Sequence, residues 1–262
     1  MLLGLLLAVC ASAIEFSTIA PGVELGSAVA TEPSIFGDSV ISIVRIDPRL
    51  LDVRLLEAKG AGGASHTARQ WADQSGAIAV INAGMFEADG VTSTGFMKSP
   101  SITNNPAWKA SYNDVLLLGP LSADVPPARI VDRTCEPWET IVPNYAIAIQ
   151  SLRMLGCEGE NTWGRTTKRW SAAAFGVDKA GRLLLIHVRS PYTMRQLVDF
   201  LRALPLDLVD LQYAEGGPEA QLFLRVGGIE REWIGSYETG FTEHDDNRRA
   251  WPIPNVIAVF AP

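Results

Sequence analysis

The segment at residues 169–220 is RWSAAAFGVDKAGRLLLIHVRSPYTMRQLVDFLRALPLDLVDLQYAEGGPEA. It contains two apolar runs, 172–177 and 183–188, on either side of the turn sequence Asp178-Lys179-Ala180-Gly181. Short apolar runs joined by such a turn are typical of a β-hairpin. In a hairpin the start of the first strand lies beside the end of the second, so we expect Arg169 to neighbour Arg189.

A helix and a third strand follow this hairpin. Thr193 and Gln196 have the spacing of a capping box, the apolar residues after Thr193 recur at helical spacing, and Pro205 ends the pattern. These signals predict a helix over 193–204 and a strand over 208–213. Together with the second hairpin strand they form a β-α-β unit, whose strands are parallel if they share a sheet.

This topology gathers Arg169, Arg189 and Glu215 at one edge of a sheet, where functional sites are commonly built. Glu215 leaves an apolar strand into Gly216 and Gly217, which allow close approach of the backbone to a ligand. A carboxyl group there can be desolvated, and the resulting high pKa suits a general acid. The alternative is an ordinary turn with solvated carboxylates.

Two further strands end in polar side chains. Asn82 follows an apolar run within INAGMF at 81–86, and Gln150-Ser151 follows another. These side chains could hold a sugar hydroxyl or a phosphate oxygen, or could simply cap their own turns. Two arginines at the same edge favour an anionic ligand, since guanidinium binds phosphate oxygens in pairs, although surface ion pairs are the alternative.

The rest of the chain shows further short apolar runs and few helices. One helix is predicted over 67–74, with Ser65 or His66 near its cap, and surface loops are predicted over 99–114 and 119–143. Predicted strands outnumber helices and no repeat or linker is visible. We therefore predict one α+β domain over residues 14–262, mostly a mixed β-sheet. The other predicted strands cover 40–46, 78–81, 115–118, 145–149, 221–226 and 256–260.

Composition narrows the function classes. Hydrophobic residues make up 47% and charged residues 19%, which excludes a disordered chain and a coiled coil. The net charge of −7 argues against nucleic acid as a partner. The histidines, including His187 and His244, lack metal-ligand spacing, so no metal or cofactor is predicted. Trp163 and Trp170 lie among polar residues and could stack on sugar rings or pack structurally.

Residues 1–13 are mainly apolar and end in Ala11-Ser12-Ala13, which predicts a signal peptide and a secreted or periplasmic protein. The stretch is too short to span a membrane. Lipid anchoring at Cys10 and a buried N-terminal segment are the alternatives. Removal of the signal leaves Cys135 and Cys157, an even pair that favours a disulfide in an oxidising compartment, against two separate thiols.

Five segments, taken in order, resemble the phosphodiester glycosidase family over roughly residues 38–260. They are INAGMF at 81–86, QS at 150–151, RWSAAAFGVDKAGRLLLIHVRSPYT at 169–193, EGGPEA at 215–220 and PNVIAV at 254–259. The resemblance implies an α+β domain that hydrolyses the bond between a sugar and a phosphodiester, here in envelope or exopolysaccharide metabolism. The turn at residues 214–220 of this chain, AEGGPEA, differs from the family's usual L-D-G-G-G-S-S turn and resembles a bacterial variant of it. The chain also has Leu152-Arg153 where the family tends to have Gly-Pro.

The resemblance and the strand-end pattern together define the expected site. Glu215 is the expected acid/base, Arg189 neutralises the phosphate and Asn82 orients the reacting groups. The expected substrate-binding residues are Arg169, Gln150, Ser151, Glu219 and Asn255. Alternatives are a different glycosidase or phosphodiesterase, and a non-catalytic envelope protein that binds an anionic glycan.

Overall fold

A computed structural model of the chain describes residues 14–236, 238–239, 242–243 and 245–262. The expected signal peptide, with Cys10, and His244 lie outside these residues. The strands are β1 (Glu15–Ala20), β2 (Val23–Val29), β3 (Val40–Ile46), β4 (Asp52–Glu57), β5 (Ala79–Asn82), β6 (Met97–Lys98), β7 (Thr103–Asn105), β8 (Asp114–Pro120), β9 (Ala128–Asp132), β10 (Tyr145–Ser151), β11 (Trp170–Asp178), β12 (Leu183–Tyr192), β13 (Leu208–Gly216), β14 (Gln221–Val226), β15 (Ile229–Ile234), β16 (Glu238–Thr239), β17 (Thr242–Glu243) and β18 (Asn255–Phe260). The helices are α1 (Ala68–Ser75), α2 (Trp138–Ile141) and α3 (Met194–Ala203).

The hairpin and the β-α-β unit are both present. β11 and β12 pair antiparallel around the predicted turn, with Phe175 opposite Leu185. The sheet order is β1-β2-β3-β12-β11-β13, and β13 also pairs antiparallel with β11. β12 and β13 are therefore parallel, as predicted, but β11 lies between them. The fold is the predicted α+β class, dominated by strands.

Two five-stranded sheets accompany this six-stranded sheet, in the orders β7-β6-β10-β8-β9 and β15-β14-β5-β18-β4. One apolar cluster joins all three, with Phe175, Leu116 and Ile257 as members from each sheet in turn. Alternate residues of the six-stranded sheet point away from this cluster: Val44 faces it, whereas Ile43 packs on the side of α3. Burial on both faces explains why these strands are continuous apolar runs.

The helices cover the outer faces of the sheets. α3 buries its apolar stripe, including Leu197 and Leu201, against the six-stranded sheet, and Thr193 forms the predicted capping box with Gln196. α1 has the same box, formed by Thr67 and Gln70. The cap is Thr67, which directly follows Ser65 and His66, and its hydroxyl accepts a hydrogen bond from the backbone N–H of Gln70.

The two predicted surface loops contain regular structure. The 119–143 segment includes β9 and α2, and the 99–114 segment includes β7, whose Asn104 is buried. Proline and polar residues are typical of loops, and a strand as short as β9 is too brief an apolar run to outweigh that signal. No helix among the described residues has both the length and the apolarity that crossing a bilayer requires.

The predicted disulfide joins Cys135 to Cys157, whose Cα atoms are 6.4 Å apart. It connects the segment after β9 to the loop between β10 and β11. Beside it, the Arg153 guanidinium pairs with the carboxylate of Asp132. The loop that carries Trp163 is therefore fastened to the β9 side of the molecule by one covalent and one ionic link.

Candidate active site

Three of the motif segments meet at one cavity of about 380 Å³. Its walls include Met85 from the segment after β5, Leu152 after β10 and Trp170 at the start of β11. Glu215 and Gly216 from the end of β13 complete it, together with Trp163 and Tyr213. Tertiary structure thus brings together the ends of strands that are far apart in sequence.

Glu215 is the carboxyl group of this cavity. It is partly exposed to the cavity, and its Oε1 accepts a hydrogen bond of 3.0 Å from the backbone N–H of Gly216. Burial raises the pKa of Glu215 to about 8, and nearby Glu219 adds to the rise, against the opposing effect of that hydrogen bond. The group is therefore mostly protonated at neutral pH and can donate a proton.

Aromatic side chains form the rest of the wall. Trp170 Nε1–H donates a hydrogen bond of 3.0 Å to the Tyr213 hydroxyl. The Trp163 ring lies 6.2 Å from that of Trp170 and 5.7 Å from that of Tyr213. Gly216 is required beneath them, since a Cβ there would lie 2.2 Å from Tyr213 Oη and 2.5 Å from Trp170 Cδ1. Such flat apolar faces suit the C–H face of a sugar ring.

Asn82 supports the turn that carries the acid. Its Nδ2–H donates to the carbonyl of Glu219 at 2.9 Å, and its Oδ1 accepts from the backbone N–H of Gln221 at 2.7 Å. Gln221 in turn accepts from the N–H of Ala68 at the start of α1. Asn82 is buried, so these contacts make it a positioning residue for the 215–221 turn rather than a cavity wall.

Gln150 has a similar structural task. Its Oε1 accepts from the backbone N–H groups of Phe96 and Lys109, each at 2.9 Å. Its Nε2 donates to the carbonyls of Lys109 and Tyr112, each at 2.7 Å. These hydrogen bonds all go to backbone groups of residues 96–112, the segment that leads into β8. The neighbouring Ser151 is buried, and its hydroxyl has no hydrogen-bond partner in the protein.

Asn255 and Glu219 belong to two other segments near the cavity. Asn255 is buried; its Nδ2 donates to the carbonyl of Val91 and its Oδ1 accepts from Asn104. Its own carbonyl accepts from the N–H of Ala83, so it holds the segment after β5. Glu219 closes the 3-10 turn after Gly216, and burial raises its pKa as well.

The two predicted arginines lie near this turn, in different settings. Arg189 donates to the carbonyls of Ile234, Gly235 and Asn247 and pairs with the carboxylate of Asp245. It fastens the segment before Ser236 to the 245–247 segment, behind the glutamate turn. Arg169 is half-buried and immediately precedes the cavity-lining Trp170. Its register places it at the same sheet edge as Glu215, since Ala173 lies opposite Glu215.

His187 takes no part in the site. It is fully buried in β12, with Nε2 3.2 Å from the carbonyl oxygen of Ala220. Burial lowers the pKa of His187 to about 4, so the ring is neutral at physiological pH. It packs as a core residue.

A second cavity of about 290 Å³ adjoins the first. Leu152 and Trp163 line both, and Ser111, Asn113, Arg153, Thr162 and Gly164 complete the second. Sequence reasoning missed this cavity because residues 99–114 were expected to be a plain surface loop. The available signal in the sequence was the Leu152-Arg153 pair that follows Gln150-Ser151.

A cavity of about 680 Å³ at the opposite end of β11, around the disulfide, is less suited to catalysis. Three of its four carboxylates are paired within the protein: Glu136 with Arg129, Asp132 with Arg153 and Asp178 with Arg182. Asp210 lies beside these groups, and burial raises its pKa to about 6. Paired charges offer little to an incoming substrate, whereas the Glu215 cavity presents an acid without a cation partner among its lining residues.

The fold and the cavity define an α+β domain that presents a protonated carboxyl group among aromatic rings. Residues 75–260, more than half of the chain, match the model of the phosphodiester glycosidase family. The chain belongs to that family.

Two solved structures share the fold. One is the catalytic domain of zebrafish N-acetylglucosamine-1-phosphodiester α-N-acetylglucosaminidase, auto-inhibited by its pro-peptide: 16% identity, TM-score 0.63, covering 93% of this chain and 85% of that one. The other is a hypothetical protein from Synechocystis: 13% identity, TM-score 0.58, covering 95% of this chain and 64% of that one. A comparison with curated proteins found no match.

Proposed function

We propose that this protein hydrolyses the glycosidic bond of a sugar-1-phosphodiester, with the sugar in the cavity of Glu215, Trp163 and Trp170. The observation that carries the proposal is a carboxyl group with a pKa of about 8 at the wall of an aromatic cavity. Family membership supports the same substrate class. A predicted signal peptide and a disulfide support a role outside the cytoplasm, in envelope or exopolysaccharide metabolism.

In the proposed reaction, water attacks the anomeric carbon. The bond from that carbon to the phosphate oxygen breaks, and its electron pair leaves with the phosphate. Glu215 donates its proton to the departing oxygen and is recharged by the proton that water releases. The products are a free sugar and a phosphate monoester. Because phosphate is already a fair leaving group, holding the diester and placing water contribute as much as the proton.

The supporting residues act through the position of Glu215. Asn82 and Arg189 hold the segments on which the glutamate turn rests. Arg169, next to Trp170, stays our candidate for a phosphate oxygen, and Ser151, whose buried hydroxyl has no partner in the protein, for a sugar hydroxyl. Gln150, Glu219 and Asn255 shape the loops and the local charge around the cavity.

The test is turnover of a panel of sugar-1-phosphodiesters, with anomeric products followed by NMR. We expect free sugar from the wild type, and kcat/KM that falls as pH rises through about 8, where Glu215 loses its proton. Glu215→Gln removes the titrating group with little change of shape, and should reduce turnover by a factor of about 10² or more. Glu139→Gln, at an exposed position in α2, is the matched control.

Near-normal turnover by folded Glu215→Gln would exclude the assignment of the acid. Sugar phosphate in place of free sugar would instead indicate a phosphodiesterase. Saturable binding of a glycan without any product would favour a non-catalytic binding protein.

A further inference from the structure

The apolar cluster that joins the three sheets ends in acidic residues where β8 and β9 face β13. Asp114 begins β8 and Asp132 ends β9, and the two lie directly opposite each other. Leu116 and Ile130, two residues further into each strand, belong to the apolar cluster. Since alternate residues of a strand share a face, both aspartates point between the sheets, towards the six-stranded sheet.

β13 presents polar side chains to the same region from the other side. Asp210 and Gln212 lie opposite Val177 and Phe175 of β11, which are both members of the apolar cluster. Gln212 is fully buried, and its Nε2–H donates a hydrogen bond of 3.0 Å to the carbonyl of Ile149 in β10. Its Oε1 has no hydrogen-bond partner. A buried amide oxygen without a donor is costly, so it is available to a ligand that brings positive charge.

Asp114 is the least compensated acid of this region. It is only 2% exposed, and no described residue donates a hydrogen bond to its carboxylate or pairs with it. Burial raises the pKa of Asp114 well above its ordinary value, nearby Asp132 and Asp210 add to the rise, and Arg153 opposes it. Buried carboxylates in proteins are normally paired with a cation or bound to a metal ion.

The charges of the region do not balance. Asp132 and Glu136 are paired with arginines, as described above, whereas neither Asp114 nor Asp210 makes an ion pair with a described residue. Lys179 lines the cavity that Asp210 borders, but it is exposed to solvent. The two unpaired carboxylates carry the charge that one divalent cation would neutralise.

We infer that the region bounded by Asp114, Asp132, Asp210 and Gln212 is a calcium-binding site. Carboxylate and amide oxygens are the ligands that calcium prefers, and calcium tolerates irregular coordination better than magnesium does. Asp114 and Gln212 Oε1 supply ligands and water completes the coordination. Asp210 supplies charge on the side of the cavity of about 680 Å³, from which the ion enters. The site is separate from the Glu215 cavity, so the inference goes beyond the proposed hydrolysis and does not depend on it.

The test is calcium binding to the disulfide-bonded wild type after treatment with EDTA. We expect isothermal titration calorimetry with CaCl2 to give one site with a Kd of about 10⁻³ M or tighter, the range of extracellular calcium sites. An ion that binds only the folded state raises Tm, so about 10 mM CaCl2 should raise Tm by about 3–8 °C over EDTA. Choline chloride at the same ionic strength is the control for the effect of salt.

Substitutions locate the ion. Asp114→Asn keeps the shape of the side chain but removes its charge, and should weaken Kd by about tenfold or more and abolish most of the rise in Tm. In EDTA this variant should be at least as stable as the wild type, because it buries no unpaired acid. Asp210→Asn, at a partly exposed position, should weaken Kd by about threefold. Asp124→Asn, at an exposed position between β8 and β9, is the matched control and should bind as the wild type does.

Two results would overturn the inference. One is the absence of binding heat together with equal Tm values in calcium and in choline. The other is a Kd that Asp114→Asn leaves unchanged, which would show an adventitious ion only, bound elsewhere on the surface. Loss of the calcium response in Asp114→Asn, with normal stability in EDTA, upholds it whether or not the protein hydrolyses a sugar-1-phosphodiester.

Discussion

Glu215 shows how the neighbours of one residue determine its charge. The carboxyl lies at a strand end, where partial enclosure by Trp170 and Tyr213 penalises the ionised form. No cation lines the same cavity among the described residues, so only the hydrogen bond from the Gly216 N–H offsets part of that penalty. The result is an acid that retains its proton at a pH where an ordinary glutamate has lost it.

The raised pKa of Glu215 also makes a prediction about stability. In the unfolded chain the group ionises near 4.5, whereas in the folded protein it does so near 8. Between these values unfolding releases a proton, so the free energy of unfolding falls as pH rises, and it levels off above pH 8. The free energy of unfolding of Glu215→Gln does not fall in this way. From pH 5 to pH 8 the variant should therefore become more stable relative to the wild type, by about 1 kcal/mol, or 2–4 °C in Tm, after allowance for partial exposure of the carboxyl group.

Thermal unfolding at several pH values measures this difference. Glu139→Gln should follow the wild type throughout, because that residue is exposed. A constant gap between Glu215→Gln and the wild type across this range would contradict the raised pKa.

Gly216 makes a second prediction at the residue scale. A methyl group here would overlap the Tyr213 hydroxyl and the Trp170 ring. Gly216→Ala should therefore displace these rings, lower the free energy of unfolding by about 1–3 kcal/mol and reduce turnover. In contrast, Gly164 has open space around its Cβ position, so Gly164→Ala should leave the denaturation midpoint within error. Equal effects from the two substitutions would show that Gly216 is not under steric constraint.

At the scale of single elements, β10 ends in two polar residues with opposite roles. Gln150 satisfies four backbone groups between Phe96 and Tyr112, whereas the adjacent Ser151 hydroxyl satisfies none. Both look alike in sequence. The difference arises because side chains alternate in direction along a strand, and only the side chain of Gln150 meets the segment from Phe96 to Tyr112.

This contrast predicts opposite outcomes from neighbouring substitutions. Gln150→Met leaves buried backbone groups without partners and should lower the free energy of unfolding by about 3–5 kcal/mol. Ser151→Ala removes an unpaired buried hydroxyl and should be neutral or slightly stabilising. Chemical denaturation measures both. If Ser151→Ala retains stability but loses substrate affinity, the hydroxyl contacts the ligand; a large loss of stability would mean that it has a partner in the protein.

For the molecule as a whole, three sheets share one core, and the Glu215 cavity lies where their strand ends meet. The loop with Trp163 belongs to no sheet and is held by the Cys135–Cys157 disulfide and the Arg153–Asp132 pair. Replacement of both cysteines by serine should cost about 3 kcal/mol, as expected for a closed loop of this length. It should also raise KM more than it changes kcat, because Trp163 loses a fixed position.

Calorimetry and steady-state kinetics measure the effects of that double replacement, and reduction of the wild type by a thiol should reproduce them. An unchanged KM in a destabilised variant would show that the loop is held by other contacts.

Sequence alone determined the elements whose signals are local: the β11–β12 hairpin through its turn, α3 through its capping box and the strand that delivers Glu215 to a glycine turn. It also predicted the disulfide pair and the family. Only the tertiary structure decided that the side chains of Asn82 and Gln150 are hydrogen-bonded to backbone groups 38–139 residues away, and that Arg153 lines the cavity next to that of Glu215. A polar residue at a strand end has the same local pattern whether its partner is a ligand or distant backbone, so long-range packing alone settles which it meets.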